Sequence, residues 1–143
     1  MPDPKSFPAP VPSAGARLLI VDDDIQIGVS LVLLLRRHGY VADNVRNGRL
    51  ALNYLSRHRV DIIVSDIFMP DYDGLELLRA LHRVSPRPRL VAMTGNDHPT
   101  MPDMLRVAVQ LGAERTIRKP FEADQLLQIL DEMIGTGPAE AGN

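Results

Sequence analysis

The stretch Arg17-Leu18-Leu19-Ile20-Val21-Asp22-Asp23-Asp24-Ile25 carries three signals in nine residues. Leu18 to Val21 is a continuous apolar run with no polar face, as expected of a strand covered on both sides. Three acids end the run. Beyond them Ile25, Val29, Val32 and Leu33 recur at helical spacing until His38-Gly39, where glycine suits the left-handed position that closes a helix. A buried strand leading straight into a helix is the repeating unit of a parallel α/β sheet.

The same alternation continues outward. Tyr40 to Val45 suits a strand, and Leu50, Ala51, Tyr54 and Leu55 mark a helix. Val60 to Ser65 contains Ile62-Ile63-Val64, a second fully apolar run, and Leu75, Leu78 and Leu81 give the helix after Gly74. Leu90 to Met93 is a fourth strand, entered through Pro86 and Pro88. Met101, Leu105, Ala108 and Leu111 give a helix that stops at Gly112. Glu114 to Arg118 is the poorest strand, followed by a last helix through Leu126, Leu127, Leu130 and Ile134. Five strands alternating with five helices predict right-handed crossovers and a parallel sheet with helices on both faces.

Composition sets the limits. At 143 residues the chain has room for one compact domain. Five of its 12 prolines fall in the first 12 residues, where fixed φ and missing N–H groups oppose helix and strand. The expected division is a disordered tail over 1–16, one domain over 17–134 and a second tail over 135–143. No signal peptide and no membrane span is evident, so a cytoplasmic protein without a membrane partner is expected. Sixteen basic against 18 acidic residues give a net charge of -2, which supplies no bulk attraction for nucleic acid; such a partner would need a local patch. Zero cysteines leave only oxygen and imidazole as metal ligands. Of the 16 basic residues 14 are arginine, and Lys119 is the only lysine outside the N-terminal tail.

In a doubly wound sheet the ligand site lies beyond the carboxyl ends of the strands. Those ends carry Asp22, Asp23 and Asp24 after the first strand, Asp66 after the third, Thr94 after the fourth and Lys119-Pro120 after the fifth. Taken singly, each has an ordinary reading. An acid between strand and helix caps the helix, and Asp24 is expected to do only that. A threonine at a strand end satisfies a turn, and a lysine is usually solvated. Taken together they converge on one edge. Carboxylates about 4 Å apart repel by roughly 4 kcal/mol per pair at an effective dielectric near 20, so they need a cation or raised pKa values. An all-oxygen set suits a hard ion such as Mg²⁺. Three carboxylates, one Mg²⁺ and one lysine sum to zero charge, and such a site can take a phosphoryl group.

The segment Asp66-Ile67-Phe68-Met69-Pro70-Asp71-Tyr72-Asp73-Gly74, with Val21-Asp22-Asp23, Thr94-Gly95 and Lys119-Pro120-Phe121, resembles the receiver domain of two-component response regulators. The resemblance covers residues 17–134. It implies a flavodoxin-like (βα)5 fold with strand order 2-1-3-4-5, and a non-enzymatic signalling role limited to self-phosphorylation and self-dephosphorylation. It also implies site roles. Asp66 would accept the phosphoryl group from a sensor histidine kinase or phosphotransfer protein. Asp22, Asp23, Asp66 and the Phe68 backbone carbonyl would hold Mg²⁺, while Thr94 and Lys119 would contact the phosphoryl oxygens. Output is expected through a downstream protein target or a homodimer, on the face of the fourth helix, fifth strand and fifth helix. The apolar run Leu31 to Leu35 is another candidate surface, with deep burial as its alternative.

Two features depart from the family pattern. The aromatic residue expected three positions before the lysine is Thr116, so the switch that couples Thr94 to that position must work through other contacts. Asn96 to Pro102 is about three residues longer than usual and carries two prolines, so the fourth helix is expected to start late or to be mobile. Two competing readings are a receiver-like interaction module without phosphorylation and a haloacid-dehalogenase-type phosphatase. For the latter, Asp22-Asp23-Asp24 supplies acids but Gln26 stands where threonine or valine is required. The four histidines are unclustered and read as surface or capping residues. Phe68, two residues past Asp66, is expected to shield an acyl phosphate from water. Phe68→Ala should therefore hasten dephosphorylation, measured as decay of phosphoprotein after removal of the donor; an unchanged lifetime refutes the shielding role.

Overall fold

The computed structural model describes residues 15–67, 74–95 and 101–136. Five strands, β1 (Arg17–Val21), β2 (Val41–Val45), β3 (Ile62–Asp66), β4 (Arg89–Thr94) and β5 (Arg115–Arg118), alternate with five helices. The helices are α1 (Ile25–Arg37), α2 (Gly48–Leu55), α3 (Gly74–Leu81), α4 (Met101–Leu111) and α5 (Ala123–Thr136). All pairings are parallel, in the order β2-β1-β3-β4-β5. The alternation and the implied strand order both hold. α5 runs through Gly135 to Thr136, two residues into the segment expected as tail, because neither Gly135 nor Thr136 prevents a last turn.

The side-chain period of two sorts the sheet into two cores. Leu18, Ile20, Ile62, Val64, Met93 and Ile117 point to one face with α1 and α5. Leu19, Val21, Ile63, Leu90 and Ala92 point to the other, with α2, α3 and α4. β3 is buried at every position, which is why its sequence shows no alternation. β5 is an edge strand in which only Ile117 is buried, so its sequence reads poorly.

Local chemistry sets the helix ends. The Asp24 carboxylate accepts from the Gln26 and Ile27 amides at 3.0 and 3.2 Å, the capping role expected of it. Gly39 (φ +99°) and Gly112 (φ +115°) take the left-handed conformation that closes α1 and α4. The run Leu31 to Leu35 is mostly core: Leu31, Val32 and Leu35 are buried and Leu33 is exposed. The apolar surface of α1 is instead the stripe Ile25, Val29 and Leu33, spaced four apart. α4 begins at Met101; residues 96–100 of the long segment lie outside the described residues. Among the described residues no helix is long and apolar enough to cross a membrane.

Ile63→Ala, at the fully buried centre of β3, should cost about 2–5 kcal/mol, whereas Leu33→Ala on the exposed stripe should stay within about 0.5 kcal/mol. Urea unfolding midpoints measure both; equal effects would contradict this assignment of core and surface.

Candidate functional site

Register and parity assemble the site before any side chain is considered. Val21 pairs with Ser65, so the residues that follow, Asp22 and Asp66, are neighbours across β1 and β3. Each lies two positions beyond a residue of the α1–α5 core, Ile20 and Val64, and Lys119 lies two beyond Ile117. All three therefore extend the same face at the carboxyl edge. This edge is also where strand order reverses, between β1 and β3.

The geometry is close. One oxygen from each of Asp22, Asp23 and Asp66 lies within 4.8 Å of the others. Asp22 is 2 % exposed and Asp66 9 %, while Asp23 is exposed. The Lys119 ammonium donates to Asp22 Oδ2 at 2.7 Å and to Asp66 Oδ2 at 3.1 Å. The other Asp22 oxygen accepts from the Asp24 amide at 2.9 Å, so both acceptors of this buried carboxylate are used. The Lys119 amide donates to the Thr94 carbonyl at 2.7 Å, tying the loop after β5 to the end of β4. The Lys119–Pro120 peptide bond is cis.

Thr94 is buried at the end of β4, with its hydroxyl 3.5 Å from the Ile117 carbonyl, the outer limit of a hydrogen bond. Thr116 pairs with Ala92, two residues before Thr94, and is exposed. Phe68 and its carbonyl lie outside the described residues, as does His98. The other histidines serve structure. His38 caps α1 and contacts Asp131, His58 stacks on Tyr54, and His82 contacts the Leu111 carbonyl.

Two pKa shifts follow from the charge balance. Burial opposes the Lys119 charge, but hydrogen bonds and charges from Asp22 and Asp66 outweigh it and hold the pKa above the ordinary lysine value. Burial and the Asp22 charge push the Asp23 pKa above the ordinary aspartate value. One ammonium thus leaves three carboxylates undercompensated. The donor set is all oxygen, partly buried and negative by two after Lys119, and it fits a divalent cation. Beside it, Gln26, Ile27, Leu31, Lys119, Pro120 and Phe121 line a cleft of about 700 Å³ between α1 and the loop before α5. No motif in the sequence announced this cleft.

Fold and site define a flavodoxin-like α/β protein with an acidic, cation-compatible pocket at the switch in strand order. The chain belongs to the response regulator receiver domain family, whose profile matches residues 18–131. It is 33% identical over 119 residues to the transcriptional regulatory protein GlrR of Escherichia coli, covering 83% of this chain and 26% of that one. It thus spans about a quarter of that relative. Sporulation initiation phosphotransferase F of Bacillus subtilis is 30% identical over 77% of this chain and 86% of its own. Among solved structures, a CheY-like receiver domain from Methanospirillum hungatei superposes with a TM-score of 0.78 at 27% identity, covering 86% of this chain and 96% of that one.

The raised Asp23 pKa has a stability consequence. Folding favours its protonated form, so its contribution is full below the ordinary aspartate value and lost as pH rises through the raised one. At neutral pH its charge works against the fold. In EDTA at pH 7, Asp23→Asn should be more stable than wild type by a few tenths of a kcal/mol up to about 1 kcal/mol, the scale of a partly solvated charge pair. The difference should shrink as pH falls into the carboxylate range. Thermal melts across pH test this, and a variant no more stable at neutral pH contradicts it.

Proposed function

We propose that Asp66 accepts a phosphoryl group from a histidine phosphodonor in a Mg²⁺-dependent reaction, and that the chain then signals through protein contacts. The observation that carries this reading is the convergence of Asp22, Asp23 and Asp66 on the Lys119 ammonium at the open edge of the sheet. Phosphoryl transfer asks little covalent chemistry of a protein. It needs a placed nucleophile and positive charge around the transferring oxygens.

In the step, an Asp66 carboxylate oxygen bonds to phosphorus while the phosphorus–nitrogen bond to the donor imidazole breaks. The electron pair leaves on the imidazole nitrogen. An aspartate needs no general base at neutral pH. Asp22, Asp23 and Asp66 would hold Mg²⁺, which when bound offsets the negative charge of acceptor and phosphoryl group. Lys119, already protonated between two carboxylates, supplies a compact cation for one phosphoryl oxygen. The Thr94 hydroxyl, weakly held at 3.5 Å, turns to another oxygen at little cost. The aspartyl phosphate adds about -1.5 to -2 charges at this edge.

The cleft beside Lys119, walled by Gln26, Ile27, Ser30 and Leu31 of α1, gives a helical phosphodonor a place to dock next to the pocket, and the exposed stripe of Ile25, Val29 and Leu33 is a second apolar surface on the same helix. Output lies on the face of α4, β5 and α5, where Val109 is 56% exposed. Since Thr116 is small and exposed, the Thr94 movement is transmitted through the Lys119 amide bond to the Thr94 carbonyl rather than through an aromatic side chain.

Acetyl phosphate with MgCl₂ should add one phosphoryl group to the chain, read by intact mass. Asp66→Asn and EDTA should abolish the label, and Lys119→Ala should reduce it at least tenfold, as expected for loss of a charge at a developing phosphoryl anion. An unlabelled wild type would mean an interaction module instead, and sustained phosphomonoester turnover would mean a phosphatase.

A further inference from the structure

A net charge of -2 hides a polarised molecule. Residues 44–60 contain Arg46, Arg49, Arg57 and Arg59 and no acid. Residues 77–96 contain Arg79, Arg83, Arg87 and Arg89 and again no acid. These stretches hold eight of the 16 basic residues, which leaves eight basic against 18 acidic residues elsewhere, a net of -10.

The fold brings the two stretches together. α2 and α3 pack side by side on one face of the sheet. Arg49 stands on α2 and Arg79 on α3, Arg46 precedes α2, and Arg57, Arg59, Arg83 and Arg87 lie in the segments that follow the two helices. The loops that follow the two helices meet at the edge opposite the carboxylate pocket. There Arg57, His58 and Arg59 face Ser85 and Pro86 across a cleft of about 240 Å³. Arg59, Arg87 and Arg89 line a second of about 230 Å³, together with Asp61, whose carboxylate accepts from the Arg17 amide at 2.8 Å. All these arginines except Arg89 are exposed.

Apart from Arg89, which holds Glu114, they are also without a carboxylate partner. On the rest of the fold Arg36, Arg106 and Arg115 each hold a carboxylate, of Asp43, Asp103 and Glu132. Among the described residues, Arg46, Arg49, Arg57, Arg59, Arg79 and Arg83 form no ion pair. Arg87 donates to the Leu111 carbonyl and contacts His82, and meets no carboxylate. Glu76 is the one acid on α3. Like charges held on one face repel, and no packing role requires them.

We propose that the α2–α3 face and its two loops bind a carboxylate-rich segment of a partner protein. The guanidinium fork pairs bidentately with planar carboxylates, and this face is all arginine and no lysine. The clefts are side-chain sized rather than duplex sized. Among the described residues the face also offers no free aromatic platform for bases, since Tyr54 is bound to Arg17 and Asp43. The two clefts, with Arg57, Arg59 and Arg87, lie at the edge of the sheet opposite Asp66, so binding there should not require phosphorylation.

Anisotropy titration of the full chain with a fluorescein-labelled deca-glutamate peptide, at about 50 and 150 mM NaCl, tests this. Binding should weaken with salt. It should fall at least tenfold in Arg57→Ala/Arg59→Ala/Arg83→Ala, on the scale of losing charge-assisted pairs. It should persist in Arg37→Ala, which removes an exposed α1 arginine, and in Asp66→Asn, which removes the proposed phosphoacceptor at the opposite edge. Melting curves confirm that the variants fold. No peptide binding, equal binding by the triple variant, or preference for a 20-base-pair DNA or phosphatidylserine vesicles would overturn the proposal.

Discussion

The Lys119 ammonium, 2.7 Å from Asp22 and 3.1 Å from Asp66, is the contact on which the site depends. Without it, buried and half-exposed carboxylates at the ends of two adjacent strands would face one another across a few ångströms, at several kcal/mol per pair. With it, the edge closes around a net charge of about -2. That residue of charge is a functional quantity. A site fully neutralised by protein cations would have no affinity for a divalent ion, and an uncompensated one would splay apart. One lysine is the intermediate solution.

The rest of the architecture serves to keep that lysine in place. β5 has little core of its own, since Ile117 alone is buried. Its position is fixed from both ends. At its start, Arg89 holds Glu114 through two nitrogens and donates to the Met133 carbonyl of α5 at 2.7 Å. At its finish, the Lys119 amide bonds the Thr94 carbonyl at 2.7 Å. A weak edge strand between two anchors is suited to small movements. The Lys119 backbone is bonded to the end of β4, so under the proposed function a change of charge at Asp66 would reach Thr94 without an aromatic relay.

Several elements were legible because one force dominated each. Leu18 to Val21 and Ile62 to Val64 are apolar throughout since both faces of the sheet are covered, and no other arrangement explains them. Asp22, Asp23, Asp66, Thr94 and Lys119 could be gathered on one edge because the strand ends are readable, and the family pattern matched them. What the sequence withheld were properties of three dimensions. Leu31 to Leu35 spans more than one face of a helix, and only packing shows that Leu33 alone stays outside while Ile25 and Val29 extend the exposed row. The cleft beside Phe121 arises between segments about 90 residues apart. β5 was hard to see because an edge strand with one buried residue has no apolar signature.

Net charge was the least informative number, and the reason is general. A sum over 34 charged residues records neither sign separation nor compensation. In this chain the carboxyl edge gathers acids around Lys119 in a pocket that fits a divalent cation, and the α2–α3 side gathers arginines most of which form no ion pair among the described residues. Screening limits the reach of each: interactions between exposed charges fade within about 10 Å at physiological salt. The near-neutral total is therefore a sum over an acidic pocket and a basic surface rather than the mark of a featureless one. A domain of this size can in this way carry local fields of opposite sign that its net charge conceals.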